Sequence, residues 1–176
     1  MIIARDHGTI LYFSRQYDRA IEQFRAVREM DPDFPRSGAL IEAYVQKGQF
    51  ADALVELEKW RTHGIEVWYW SYLAYVCERS GQRKQARRAL ARLEHFARHS
   101  QSDLTLQLLV AYVGTDRRDE VIALLQNAYS QHSSTLVTLK VEPYYDPLRS
   151  DPRFQDLLRR VGLADSGVNE GSTPKR

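Results

Sequence analysis

The sequence predicts an all-α chain, a stack of short helix pairs built from one repeated unit. Three observations carry this. The stretch 17–32 places Ala20, Phe24 and Val27 on one stripe of a 3.6-residue helix, with charged residues between them. The pattern then returns: Tyr17, Ala20 and Phe24 reappear as Phe50, Ala53 and Leu57, as Arg83, Ala86 and Leu90, and in weaker form as Arg118, Val121 and Leu125. The small residue thus falls at 20, 53, 86 and 121, in steps of 33, 33 and 35, and Gly48 and Gly81 repeat at the same 33-residue step. A period in this range with two helices per unit marks a helical solenoid, in which each unit buries its apolar face against its neighbours.

The first unit pairs a helix near 4–14, with Gly8, Leu11 and Tyr12 inward, with the helix 17–30. Gly8 lets the two helices approach closely. The run Asp31-Pro32-Asp33-Phe34-Pro35 breaks the chain, because proline disfavours helix in the residue before it. The second unit spans 37–47, turns at Gly48 and continues over 51–63, where Gly64 suits a left-handed C-terminal cap. The third opens with the ring-rich helix 67–80 (Trp68, Tyr69, Trp70, Tyr72, Tyr75), turns at Gly81 and returns over 84–99. In that return helix Ala86, Leu90, Leu93 and Ala97 form the inner stripe. Arg83, Lys84, Arg87, Arg88 and Arg92 form the opposite, solvated face. The fourth unit comprises 103–113 and 119–131, joined by a looser turn at Gly114-Thr115-Asp116.

From Ser133 the repeat is lost. Leu136, Val137 and Leu139 suggest a short apolar helix, and Glu142-Pro143-Tyr144-Tyr145-Asp146-Pro147 an irregular link. Ser150-Asp151-Pro152 reads as a helix start with a capping serine. The helix that follows, about 151–161, carries Phe154, Leu157, Leu158 and Val161 and serves as a lid on the last repeat. The units therefore lie at 1–32, 33–64, 65–99 and 102–131, with a capping segment at 133–163 and a polar tail, 164–176, expected to be disordered.

Composition excludes several classes. The 176 residues make one domain or one short array, and 43% apolar content fits a packed protein. With 25 basic against 23 acidic residues, nothing draws the whole chain to nucleic acid or membrane. No window approaches the roughly 18 apolar residues of a membrane span, and no signal peptide opens the chain. Cys77 stands alone, so there is no cysteine framework, and a reducing, cytoplasmic setting fits. A helical pattern beginning near Met1, with no capping helix before it, suggests the C-terminal part of a longer protein.

These marks resemble tetratricopeptide repeats. The resemblance rests on Gly8, Tyr17, Ala20, Phe24 and Pro32 in the first unit, and on Tyr44, Gly48, Phe50 and Ala53 in the second. Trp70, Ala74, Gly81 and Ala86 carry it in the third. The fourth unit departs, with Val121 in the small-residue place and hence a wider crossing. The segment 136–163 is similar to the closing part of bacterial repeat proteins whose N-terminal domain is a kinase or a winged-helix DNA-binding domain; no residue here belongs to either domain. The resemblance implies a right-handed superhelix with a C-terminal capping helix. It also implies a non-enzymatic scaffold that binds a peptide or partner domain in the concave groove lined by each unit's first helix. Mapping that face selects Tyr12, Glu42, Trp68, Tyr72, Tyr75, Glu78 and Arg79. Rings with one arginine suit a peptide site, since rings bury much area at little entropic cost. Trp70 would instead occupy the buried tryptophan position, with Tyr69 toward solvent. The asparagine-lysine-arginine clamp of some members is missing, with Gly38, Ala39, Glu42 and Tyr75 in its place, which disfavours chaperone tails.

Other constellations carry less. The basic face could touch phosphates beside the rings, but charged outer faces are the rule on solenoid helices, and nucleic acid is disfavoured. His95 and His99 have metal-compatible spacing, but Phe96 stands where a zincin has its glutamate and a third ligand is lacking. Asp31/Asp33 and Asp119/Glu120 sit at turns and helix starts, where acidic groups favour the dipole. No catalytic site, cofactor site or metal site is expected, and Cys77 packs as a small apolar residue. The alternative to groove binding is self-association through the first repeat, or service as the sensor arm of a larger regulator.

Overall fold

The computed structural model describes residues 2–31, 37–61 and 66–164. The expectations for the break after Asp31, for Gly64 and for the tail beyond Ala164 lie outside them. The described residues form nine α-helices: α1 (Ile2–Phe13), α2 (Tyr17–Met30), α3 (Gly38–Gln46), α4 (Phe50–Arg61), α5 (Glu66–Arg79), α6 (Arg83–His99), α7 (Thr105–Gly114), α8 (Arg118–Ser130) and α9 (Pro152–Arg160). Two 3-10 turns, Ser134–Thr138 and Pro143–Leu148, lie between α8 and α9.

Consecutive helices pair as hairpins, α1 with α2 through α7 with α8, and the first helices of successive pairs also pack on one another. The four small positions of the repeat, Ala20, Ala53, Ala86 and Val121, are fully buried at these crossings. Close approach is explicit at Gly8, where a Cβ would fall 2.9 Å from the Phe24 ring. Between pairs, Arg28 of α2 bonds the buried carboxylate of Glu56 on α4, which Lys59 of the same helix also bonds.

The four hairpin turns share one geometry. The residue five before each small position has positive φ: Arg15 at 58°, Gly48 at 70°, Gly81 at 80° and Asp116 at 55°. The next amide then reaches back to a carbonyl five residues earlier, from Gln16 to Leu11, Gln49 to Tyr44, Gln82 to Cys77 and Arg117 to Tyr112. These are Schellman closures, which satisfy orphan carbonyls at helix ends. The fourth turn is therefore as tight as the others, not looser, and Gly114 is the last residue of α7 rather than part of it. There its missing side chain is needed, because a Cβ would fall 2.5 Å from the Tyr75 Cα of α5.

The core continues past the repeats. Leu136, Leu139, Tyr144, Tyr145 and Leu148 are buried, whereas Val137 is exposed. The stretch expected to be an irregular link is thus a packed 3-10 turn. Asp151, not Ser150, caps α9: its carboxylate accepts from the Arg153 amide, with Pro152 first in the helix. Phe154, Leu157 and Leu158 of α9 are buried, and α9 lies on α8 with Arg160 over the Tyr129 ring at 4.2 Å and Arg153 on Asp119 at 2.8 Å.

Candidate partner-binding groove

The first helices of the four pairs, α1, α3, α5 and α7, present their inner residues to one face. Period 3.6 puts Thr9 and Phe13, Ala39 and Glu42, Trp68 and Tyr72, and Leu106 and Val110 there, each pair three or four residues apart. Together they line a cavity of about 410 Å³. The fifth wall is the C-terminal segment, which contributes Thr138, Glu142 and Tyr144.

That segment is fastened to the first repeat. The Tyr12 hydroxyl donates to Glu142 Oε1 at 2.6 Å. Arg15, in the turn after α1, donates to the Val141 carbonyl at 2.9 Å and to Asp146 Oδ1 at 2.8 Å. Where the second and third repeats have glycine, the first has an arginine that clasps the segment.

The cavity floor is a buried network of carboxyl and phenol groups. Tyr72 donates to Glu42 Oε1 at 2.7 Å, and Glu42 and Glu142 are both buried. Burial pushes the Glu42 carboxyl up to about 7, against hydrogen bonds from Tyr72 and Tyr12 that pull it down. Burial and the neighbouring Glu42 push Glu142 up to about 9. Desolvation also raises Tyr12, Tyr72 and Tyr144 well above the usual phenol range. Near neutral pH the floor is thus short of negative charge, and the Tyr12 hydroxyl sits between two carboxyls. Above the floor, Trp68 stacks on Tyr72 with ring centroids 5.9 Å apart, half-buried at the cavity wall. Gly38 is required here too, since a Cβ would fall 2.0 Å from the Tyr72 hydroxyl.

Residues 14–64 match the model of the tetratricopeptide repeat family. The chain is thus similar to tetratricopeptide repeats over the stretch that holds α2, α3 and α4. These are non-catalytic units that generally mediate protein–protein interaction. Comparison with curated proteins and with solved structures gives no match.

Within this repeat array the residues expected to form the groove separate into three groups. Glu42, Trp68 and Tyr72 line the cavity. Tyr12 and Tyr75 lie beneath it, fully buried, Tyr12 bonded to Glu142 and Tyr75 against Gly114. Glu78 and Arg79 do not line it: Glu78 faces Arg83 at 3.6 Å, and Arg79 is exposed at the end of α5. Trp70 and Tyr69 exchange the places expected of them. Tyr69 is buried, and Trp70 is half-buried with its indole N–H on Glu66 at 3.2 Å. Sequence reasoning missed Glu142 and Tyr144, whose only signal was a glutamate and two tyrosines inside an otherwise turn-like run. It also missed Leu106, which helical spacing from Val110 could have found.

Proposed function

We propose that the chain is an interaction scaffold that receives an extended segment of a partner protein in the cavity between α1, α3, α5, α7 and the C-terminal segment. The partner inserts a bulky apolar side chain between Trp68, Leu106 and Val110. The carrying observation is the cavity itself: a half-buried tryptophan and an exposed leucine lie over a floor of buried, hydrogen-bonded carboxyl groups. Such a site accepts apolar area with a few fixed polar groups, the usual makeup of a ligand cleft.

Selection from a random peptide library on the immobilised chain tests this. Selected peptides should carry a large apolar residue and should lose binding at least tenfold on Leu106→Glu and Trp68→Ala, with helical melts unchanged. Peptides indifferent to both substitutions would place the binding surface elsewhere.

A second reading, self-association, draws on α1. Ile3 and Ile10 stand two turns apart on it and are 85% and 60% exposed. Light scattering over a concentration range distinguishes a dimer through this face, which Ile10→Asp would abolish, from a monomer.

A further inference from the structure

A second and larger cleft, of about 1040 Å³, lies on a different surface, between α5 and α6. Its apolar side is the half-buried Trp70, with Tyr69, Leu73 and Ala89 nearly covered beneath it. Its other side is cationic, with Arg83, Lys84, Arg88 and Arg92 of α6. Arg83 meets Glu78 at a loose 3.6 Å, and Arg92 stacks over Phe96 at 5.5 Å. Lys84 and Arg88 have no carboxylate partner among the described residues. Four cations on one wall, in a chain whose net charge is only +2, are a local imbalance that a ligand of opposite sign would correct.

From this geometry we infer that the α5–α6 cleft docks an acidic amphipathic helix of a partner protein, its apolar stripe on the half-buried Trp70 and its carboxylates on Lys84, Arg88 and Arg92. The three cations fall at i, i+4 and i+8, about 6 Å apart along the axis at 1.5 Å rise per residue. A helix laid alongside α6 with glutamates four apart repeats the same spacing, so each carboxylate finds a cation. Arg83, Lys84, Arg88 and Arg92 are all exposed, so the α6 wall of the cleft is open to a further helix. A single nucleic-acid strand fits less well. Tyr69 and Trp70 meet edge to face at 5.0 Å rather than offering ring faces to bases. Their polar tips point at Glu58 and Glu66, which would repel phosphates on that side.

The test is fluorescence anisotropy with three labelled probes. One is a synthetic peptide with a leucine stripe flanked by glutamates at i and i+4. The second is its charge-reversed counterpart with lysine for each glutamate, and the third is an oligothymidine of matched charge. The acidic peptide should bind at least tenfold more tightly than either other probe, and salt should weaken it. Lys84→Glu and Arg88→Glu should each cost tenfold or more. Arg87→Glu, exposed on the same helix but outside the cleft lining, and the groove variant Leu106→Glu should leave binding within twofold. The proposal is overturned if the acidic peptide shows no preference over its reversed form, if Arg88→Glu binds as wild type, or if the oligothymidine binds best. All four positions are exposed, so a melt matching wild type separates loss of binding from loss of fold.

Discussion

Glu142→Gln should make the protein less sensitive to alkali. In the folded chain Glu142 and Glu42 hold their protons up to about 9 and about 7, above the ordinary carboxyl value of 4.5. Between 4.5 and those values the folded state binds protons that the unfolded state has released, so stability falls as pH rises and is fullest below 4.5. Each retained proton contributes a slope of about 1.4 kcal/mol per pH unit. The limiting loss from one carboxyl between about pH 5.5 and 7.5 is therefore roughly 3 kcal/mol, and relaxation around a coupled pair reduces it to an expected 1–3 kcal/mol. Glutamine has nearly the same shape and keeps an oxygen to accept from Tyr12, but it does not ionise and places no charge against Glu42. Near pH 5.5 the variant should match wild type within about 1 kcal/mol, the scale of one hydrogen bond. Near pH 7.5 it should be more stable by about 1–3 kcal/mol, a measurable part of a typical domain's stability. Urea unfolding followed by helical circular dichroism at the two pH values reads this directly. A wild-type-to-variant difference that does not change with pH would refute the reasoning, because it would mean that Glu142 is ionised where it lies.

Three further substitutions probe the packing. Ala86→Leu forces three extra carbons into a fully buried crossing between α5 and α6 and should cost about 1–3 kcal/mol in the same denaturation assay. Gly114→Ala gains up to about 1 kcal/mol in helix propensity, yet its Cβ would meet backbone of α5 at 2.5 Å, so a net loss of about 1–3 kcal/mol is expected; a stabilised variant would mean that α5 and α7 can separate freely. Leu157→Ala should cost about 2–5 kcal/mol as a cavity under α9, and a melt identical to wild type would show that α9 is not part of the cooperative unit.

The repeat was legible because small residues and turn glycines are forced by geometry: at 20, 53 and 86 only a small side chain fits, and glycine is at ease at 48 and 81. The same left-handed positions at 15 and 116 were invisible, since arginine and aspartate there carry no mark of their backbone. Inner-face residues Glu42, Trp68 and Tyr72 followed from knowing which helix of each pair faces inward. What covers Tyr12 did not follow, because its partner Glu142 belongs to a segment with no period, where prolines at 143 and 147 suggest a link rather than a packed turn. Tyr69 and Trp70 were exchanged for a simpler reason. In a run of four large residues, Val67 to Trp70, a helical phase off by one is equally apolar, so only packing against α4 and α6 decides which ring is covered.

The C-terminal segment sets both the size and the polarity of the groove. Without Glu142 and Tyr144, the face shared by the first helices would be a wider channel with Glu42 as its only buried acid on that floor. With them, the channel becomes a cavity of about 410 Å³ whose floor holds two coupled carboxyls. Two like charges buried this close cannot both ionise without repulsion that the surrounding phenols only partly offset. The proton shared by the pair therefore helps hold the segment on α1 by sparing Glu142 the repulsion of Glu42, since the bond from Tyr12 itself favours the ionised carboxylate, while Arg15 holds the segment from outside through Val141 and Asp146. The inner tie should weaken as pH rises through the range where the pair ionises. The outer tie, an exposed ion pair and a bond to a carbonyl, should respond to salt instead. Measuring the accessibility of the segment to proteolysis against pH and against salt separates the two ties. Glu142→Gln should abolish only the pH response, and Arg15→Ala only the response to salt.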